Sequence, residues 1–272
     1  AYSRAAKDFV ARAGIPFLQG HRPATGAFRA LLDAASTRER IAPDLPPHPA
    51  RAGALRSLRG RSGPVDEAVA GSILAAYGVK RPREAVVAAP AEAGRAARRL
   101  GFPVAVKALA PELPHKAKLG GVRLGLTGAA DVEIAAAEVL AAARRAGAPR
   151  PKVLVQRMAQ GTEVLVGALV DERFGAMVTM RPGGALAELG EARFVAAPLS
   201  PAQARAYVAS QAERCGLDAA RHDLAATARA VTAIARAAHD LRGRIASLEA
   251  NPLLVGARGA IAVDALAEAR PP

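Results

Sequence analysis

The sequence predicts an α+β fold, on three observations. First, helical and strand-like stretches do not alternate as a parallel βαβ sheet requires: helices and a strand pair come first, then a helix, then a series of strand-like runs. Second, several consecutive strand-like runs are separated by only a few residues, the spacing of antiparallel hairpins. Third, 51% of the residues are apolar but only 3% are aromatic and tryptophan is absent, so a core of normal size must be built from Ala, Val, Leu and Ile.

The elements follow in order. AKDFVARAG reads as a helix stopped by Gly14, Ile15–Leu18 as a short strand, and TGAFRALLDAAS as a helix with Phe28, Leu31 and Leu32 on one face. One strand and two helices bury too little apolar surface to stand alone. Residues 1–41 are therefore expected to be the tail of a preceding domain. The first residue, Ala1 rather than Met, fits a piece of a longer protein. Residues 42–64 combine prolines and arginines without sustained periodicity and read as a flexible linker, with His48 in solvent. His21, in the tail, needs no special role.

A compact unit is expected over 65–272, in subdomains of roughly 65–150 and 151–272. VDEAVAGSILAAYG reads as a helix closed by Gly78. AAPAEAGRAARRLG reads as a second, with Pro90 in its first turn and Gly101 after its end. FPVAVKALA is a buried strand paired with GVRLGLTG, and DVEIAAAEVLAAARRAG is a helix capped by Gly147. Four strand-like runs come next: KVLVQRM, EVLVGALVD, FGAMVTMR and ARFVAAPL. The gaps AQGT and ERFG are both hairpin-sized. Ser200–Pro201 opens one helix and HDLAATARAVTAIARAAHDL forms another, with His222 and His239 at its ends. IASLEANPLLV and AIAVDAL finish the unit as two strands.

The formal net charge is +14, unevenly spread. Residues 1–65 carry 11 basic and 4 acidic side chains, the rest 27 and 20. A basic balance favours polyanionic partners such as nucleotides, coenzyme A or nucleic acid. The mild excess in the compact unit and the few aromatics for base stacking argue against nucleic acid. The single cysteine, Cys215, excludes an internal disulfide and a thiolate metal cluster, and fits a reducing cytoplasm. In its Ala-rich helical setting it reads as a structural thiol. No apolar run approaches the roughly 18–20 residues of a membrane span.

Several residues carry chemistry. Lys107 interrupts the apolar strand VAVKALA, where a lysine is rare without a partner. It is either an edge lysine with its head in water or a point charge aimed at phosphate oxygens. His115 lies in the loop LPHKAKLGGV, where Gly120 and Gly121 allow close backbone approach and Lys116 and Lys118 add positive charge, a setting suited to an anion. Glu163 opens a strand, commonly a turn or edge position, and GGALAE joins Gly183 and Gly184 to Glu188, where a Gly-Gly pair by itself usually marks a turn. Asn251 and Asp264 lie on two consecutive strands joined by a short hairpin. They are either turn and strand-end residues or a pair of oxygen ligands suited to Mg²⁺, which takes one or two protein oxygens and the rest from phosphate and water.

Taken in order, the lysine-bearing strand, LPHKAKLGGV, VLVQRMAQGTEVLVGALVDERFG, GGALAE, APLS, LEANPL and AVDAL resemble the ATP-grasp part of the NDP-forming acyl-CoA synthetases, over about residues 65–268. That group includes ADP-forming acetate–CoA ligases and the more distant succinyl-CoA synthetases. Residues 1–41 resemble the end of the flavodoxin-like CoA-ligase domain that precedes it in fused forms. The resemblance implies an ATP-grasp fold of two α+β subdomains clasping ATP or ADP. It also implies an acid–thiol ligase reaction through an acyl phosphate and a phosphohistidine, with CoA-binding and phosphohistidine-bearing ligase domains as partners. Coenzyme A and a small carboxylic acid would be the other substrates, and an oligomer is implied. By the same resemblance Lys107 contacts nucleotide phosphates. Gln156, Met158 and Glu163 flank the nucleotide, with Gly120, Gly121, Gly183, Gly184 and Glu188 beside it. Asn251 and Asp264 hold Mg²⁺, and His115 is a second phosphoryl carrier.

The chain departs from the family pattern at points near this set. HKAK stands where HKSD is usual, so Ala117 and Lys118 remove a hydroxyl and reverse a charge. Arg181-Pro182 precedes the Gly183–Gly184 pair in place of a glycine-rich GLGG, and Val195 stands where an arginine is common. A nucleotide-binding paralogue without catalysis is the alternative these departures suggest.

Overall fold

The structure, a computed structural model, describes residues 4–13, 20–21, 24–29, 32, 45–110, 119–184 and 192–271. It divides into two units, 1–45 and 46–272. In the first unit α1 spans Arg4–Ala13 and residues 24–29 are helical, matching two expected helices. The expected strand Ile15–Leu18 lies outside the described residues.

The second unit holds two antiparallel sheets. The small one has the order β2-β5-β3-β4, built from β2 (Glu84–Val87), β3 (Val104–Leu109), β4 (Val122–Leu126) and β5 (Lys152–Arg157). Helices α4 (Pro90–Leu100) and α5 (Ala129–Arg145) pack on each other and on one of its faces. Strand alternation sorts the side chains. Val104, Val106, Val153 and Val155 turn into the core with Ala93, Ala96, Ala97, Val132, Ala136 and Val139 of the helices. Alanine faces let the two helices approach closely. The valines supply the bulk, about 1.5–3 kcal/mol for each fully buried side chain.

The large sheet runs β1-β11-β9-β6-β7-β8, with β10 also paired to β9. Its strands are β1 (Gly63–Val65), β6 (Thr162–Asp171), β7 (Gly175–Pro182), β8 (Phe194–Ala196), β9 (Ile245–Gly256), β10 (Gly259–Ala262) and β11 (Ala265–Ala269). Helices α6 (Pro201–Ala212) and α7 (Leu224–Leu241) pack beneath it. Both have the capping their sequences foretell. Ser200 and Gln203 form a reciprocal capping box at α6, and the Asp223 carboxylate accepts from the Ala226 N–H at α7. Helix α3 (Glu67–Ala76) starts at the Asp66 cap and leans on β11 and α7.

Three expectations change. The stretch 42–64 is folded from Pro46 onward: it contains helix α2 (Arg51–Ser57) and strand β1, and Ala54 and Leu58 are buried in the core. His48 is not solvated but stacks on Tyr77 with ring centroids 4.6 Å apart. The subdomain division also moves, because β5 completes the small sheet while β1 and α3 join the large one. Finally, the gap AQGT is no hairpin. β5 pairs with β2 and β3, and β6 with β7 and β9, so the chain crosses between sheets there. Gly161 allows the crossing, since a Cβ on it would stand 2.7 Å from the Val255 carbonyl oxygen.

Candidate functional site at the seam of the two sheets

Each sheet keeps one face free of its own helices. On the small sheet, alternation puts Lys107 and Ala105 of β3, Leu154 and Gln156 of β5, and Glu84 of β2 on that face. Lys107 is 5% exposed and Gln156 2%. The Lys107 ammonium leaves its own sheet: Nζ donates to Glu67 Oε1 of α3 at 3.0 Å and to the Val263 carbonyl at 2.6 Å. It is thus neither an edge lysine nor in water. A buried ammonium without such acceptors would be strongly unfavourable.

The Val263 carbonyl adjoins Asp264. There the terminal strands meet, with the Asn251 N–H donating to the Asp264 carbonyl at 3.1 Å and the Val263 N–H to the Pro252 carbonyl at 3.1 Å. Asn251 and Pro252 form a β-bulge on β9 opposite Leu165, where the pairing register with β6 shifts. On the other side of β9 the register is unbroken, Ala262 facing Leu253 and Ala265 facing Ala250, which sets Asn251 level with Asp264. Both are half-buried, and the Asp264 carboxylate accepts from the Ala265 N–H at 2.8 Å. Lys107 of the small sheet is therefore bonded to the strand pair of the large one that carries Asn251 and Asp264.

The other expected residues lie around it. The Gly121 carbonyl accepts from the Ala108 N–H at 2.7 Å, so the Gly120–Gly121 pair runs beside the end of β3 next to Lys107. Glu163, at the start of β6, is touched by both glycines of the other pair. Its carbonyl accepts from the Gly183 N–H, a Cβ on Gly183 would stand 2.7 Å from its backbone, and Gly184 turns through φ +63° against its carboxylate. Met158 sits at the far end of the β3–β4 pair, with its sulfur 3.0 Å from the Gly125 amide nitrogen. His115 and Glu188 lie outside the described residues.

The structure adds residues that sequence reading passed over. Arg81 bridges Glu84 at 2.9 Å and Glu67 at 4.0 Å, and Gln156 Nε2 donates to Glu84 at 2.7 Å. A chain of buried and half-buried polar groups, Lys107–Glu67–Arg81–Glu84–Gln156, thus links the two sheets. One signal existed: Gly71, inside a helix, where glycine costs about 1 kcal/mol against alanine. A Cβ there would fall 0.9 Å from Arg81 Nη1, so the guanidinium occupies that space. On the open face of the large sheet Glu249 follows the same logic, lying over Gly167 with Arg181 nearby. Cys215 is buried, and burial pushes its thiol up to about 11, as a structural cysteine requires.

Asn251 and Asp264, cross-strand neighbours beside the carbonyl that Lys107 bonds, offer the hard-oxygen donors that suit Mg²⁺ sharing its shell with phosphates and water. Among the described residues no cluster of three or more His, Cys, Asp or Glu could hold a metal by itself. No helix among them is long and apolar enough to cross a membrane.

Two α+β lobes whose bare faces meet at such a seam define a nucleotide-clasping class, and the comparisons identify it: residues 56–268 match the ATP-grasp domain family, and the chain belongs to it. Among curated relatives, acetate–CoA ligase [ADP-forming] I subunit beta of Pyrococcus furiosus is 28% identical over 219 residues, covering 78% of this chain and 94% of that protein. The 4-hydroxybutyrate–CoA ligase [ADP-forming] of Nitrosopumilus maritimus is 27% identical over 69% of this chain, which spans only 28% of that protein's length. Among solved structures, the acetyl-coenzyme A synthetase 1 of Ca. Korarchaeum cryptofilum, in complex with coenzyme A and Ca-AMPCP, matches with a TM-score of 0.73. It is 26% identical and covers 81% of this chain and 100% of its own.

Proposed function

We propose that this chain is the nucleotide-binding part of an ADP-forming acyl-CoA synthetase, whose full reaction converts a carboxylic acid, coenzyme A and ATP to acyl-CoA, ADP and phosphate. The observation that carries the reading is the seam itself, where Lys107 Nζ bonds the carbonyl beside Asp264 and Asp264 pairs with Asn251. The CoA-ligase names of the relatives and the Ca-AMPCP in a matching structure support it.

In this reading Lys107 holds the nucleotide phosphates, and Asn251 and Asp264 hold Mg²⁺. The ion neutralises phosphate charge when bound. Phosphoryl transfer through a loose transition state asks for positioning and charge neutralisation more than covalent chemistry. Gly120, Gly121, Gly183, Gly184, Gln156, Met158, Glu163 and Glu188 frame the nucleotide. His115 carries the phosphoryl group between the nucleotide and a phosphohistidine on partner domains, which also bind coenzyme A and the acid. Dividing a long transfer into two short in-line steps keeps each reacting pair in contact distance. The cytoplasm and an oligomeric assembly belong to the same reading.

Calorimetric titration with ADP, with and without Mg²⁺, tests the nucleotide site. Asp264→Ala should weaken the Mg²⁺-dependent component, and an unchanged metal titration refutes the ligand assignment. In enzyme reassembled with its partner domains, His115→Ala should abolish phosphoryl transfer and leave ADP affinity nearly intact. Equal loss of both counts against a carrier.

Arg181 favours a second reading, a binding module without catalysis. It puts a guanidinium near Glu249 on the open face of the large sheet. Tight ADP binding with no phosphorylation of His115 in the reassembled enzyme selects that reading.

A further inference from the structure

Arg181 stands where the family pattern has a glycine-rich stretch, so whatever it does is this chain's own. Placed before Pro182, it is held in extended backbone, and strand alternation keeps its side chain on the open face of the large sheet. It pairs with Leu165 on β6, and Leu165 faces the Asn251–Pro252 bulge on β9. Two strand spacings, about 10 Å, therefore separate its backbone from that of Asn251. An arginine side chain and one phosphate group bridge such a gap together. Arg181 is half-buried, and its Nε is buried without a hydrogen-bond partner. A donor in that state costs free energy until something accepts from it.

Beside it is an acid that also lacks a close partner. Glu249, on β9, lies across β6 in the space Gly167 leaves. Its Cγ and Cδ are 3.2 and 3.5 Å from where a Gly167 Cβ would stand, so the carboxyl is turned toward β7. Burial raises its pKa, and Arg181 lowers it by charge with no hydrogen bond between the two. The other neighbours of Glu249 on this face are Leu266 and, diagonally, Glu268 of β11, Leu165 of β6 and Thr179 of β7. Arg181 is thus the one cation among the described residues that acts on it. A guanidinium and a carboxyl that approach across a glycine without closing form a slot instead of an ion pair.

We propose that Arg181 and Glu249 hold a phosphate group on the open face of the large sheet, in a subsite beside the Asn251–Asp264 pair. The choice of phosphate as ligand rests on the nucleotide reading. The guanidinium offers paired N–H donors to two phosphate oxygens, and the carboxyl in its protonated form donates one more hydrogen bond. A carboxyl beside an anion must keep its proton, so binding takes a proton up, and affinity falls as pH rises through the titration of Glu249. The group is either the terminal phosphate of a bound nucleotide or a free phosphate ion, and titration separates the two.

The test uses the full chain in Mg²⁺, titrated calorimetrically with ADP, AMP and inorganic phosphate. Arg181→Gln should weaken binding at least about tenfold. Arg181→Lys should recover only part, since a point charge lacks the bidentate fork. A loss for ADP with AMP unchanged identifies the terminal phosphate of the nucleotide, and a loss for inorganic phosphate with ADP unchanged identifies the free ion. Glu249→Gln keeps a donor with no proton to lose. It should bind tighter than wild type near pH 8, and the two should converge as pH falls toward 4.5. An Arg181→Gln loss that disappears in the Glu249→Gln background overturns the proposal, because Arg181 would then only neutralise Glu249. Melting followed by circular dichroism checks the fold, and if Arg181→Gln melts early Arg181→Lys carries the same comparison. ADP bound equally by wild type and Arg181→Gln, with no inorganic phosphate bound, removes the subsite and leaves the nucleotide reading intact. Inorganic phosphate bound through Arg181, with no ADP bound, sinks the nucleotide reading and keeps the subsite.

Discussion

Glu249 sits on the open face of the large sheet, and burial raises its carboxyl above the ordinary range even though Arg181 pulls it down. Gly167, its cross-strand neighbour, leaves only the room that the side chain fills, 3.2 Å from a Cβ position to Glu249 Cγ. The folded state thus holds the proton more tightly than the unfolded chain does. Stability therefore falls as pH rises from the usual glutamate value through the raised one, and the penalty is complete above it. Glu249→Gln should melt higher than wild type near pH 8, with the difference shrinking as pH falls toward 4.5, followed by circular dichroism across pH. A difference independent of pH would mean that shape, not charge, governs this site. Read from sequence, Glu249 was one more residue of a strand. Its partners come from β6 and β7, so neither its burial nor its neighbour Arg181 has a local signal. Lys107 was legible, because a lysine inside VAVKALA is anomalous by itself. That its partner would be Glu67, 40 residues earlier, was not.

The segment from Pro46 to Ser57 shows an element whose fold is set from outside. Its composition reads as a linker, yet one carboxylate ties it down. Asp240 Oδ2 accepts from the His48 N–H at 3.0 Å and the Tyr77 hydroxyl at 3.3 Å, and Arg236 Nε lies 3.1 Å from both its oxygens. Arg51 Nε donates to the Asp240 carbonyl, and Arg236 also bonds the Pro46 carbonyl. Burial, with Asp240 adding to it, pushes the Tyr77 hydroxyl well above its usual range, so it stays a donor. Asp240→Ala leaves buried donors unpaired at a cost of about 3 kcal/mol or more. The expected result is rapid tryptic cleavage at Arg51, Arg56 or Arg59 in the variant and slow cleavage in wild type. Equal rates would mean that Leu58 and Ala54 hold α2 without the clamp. The crossing from β5 to β6 is misread for a related reason: a short gap between strands has the same length whether they pair or part.

At the scale of the molecule, two hydrophobic cores sit back to back across a charged seam. The small one belongs to β2–β5 with α4 and α5, and the large one to the rest of 46–272. Residues 46–272 form one contact unit. A chain cut to 46–272 should melt in a single cooperative transition. One cut to 65–272 loses α2, most of β1 and the His48 clamp, and should melt at a lower temperature. Equal melting temperatures would show that residues 46–64 add nothing to the stability of the unit. The helices other than α2, most of the strands and the order of motifs were readable in advance, because periodicity, caps and glycine stops are local properties of the chain. The resemblance to an ATP-grasp chain rested on that order and anticipated the fold. Sheet membership, the bulge of β9 against β6 at Asn251 and Pro252, and the Lys107–Glu67–Arg81–Glu84–Gln156 chain were decided only in three dimensions. Lys107 meets Val263 across 156 residues, and no local pattern encodes such a contact. It follows from packing two bare sheet faces together, which forces every polar group between them to find a partner there.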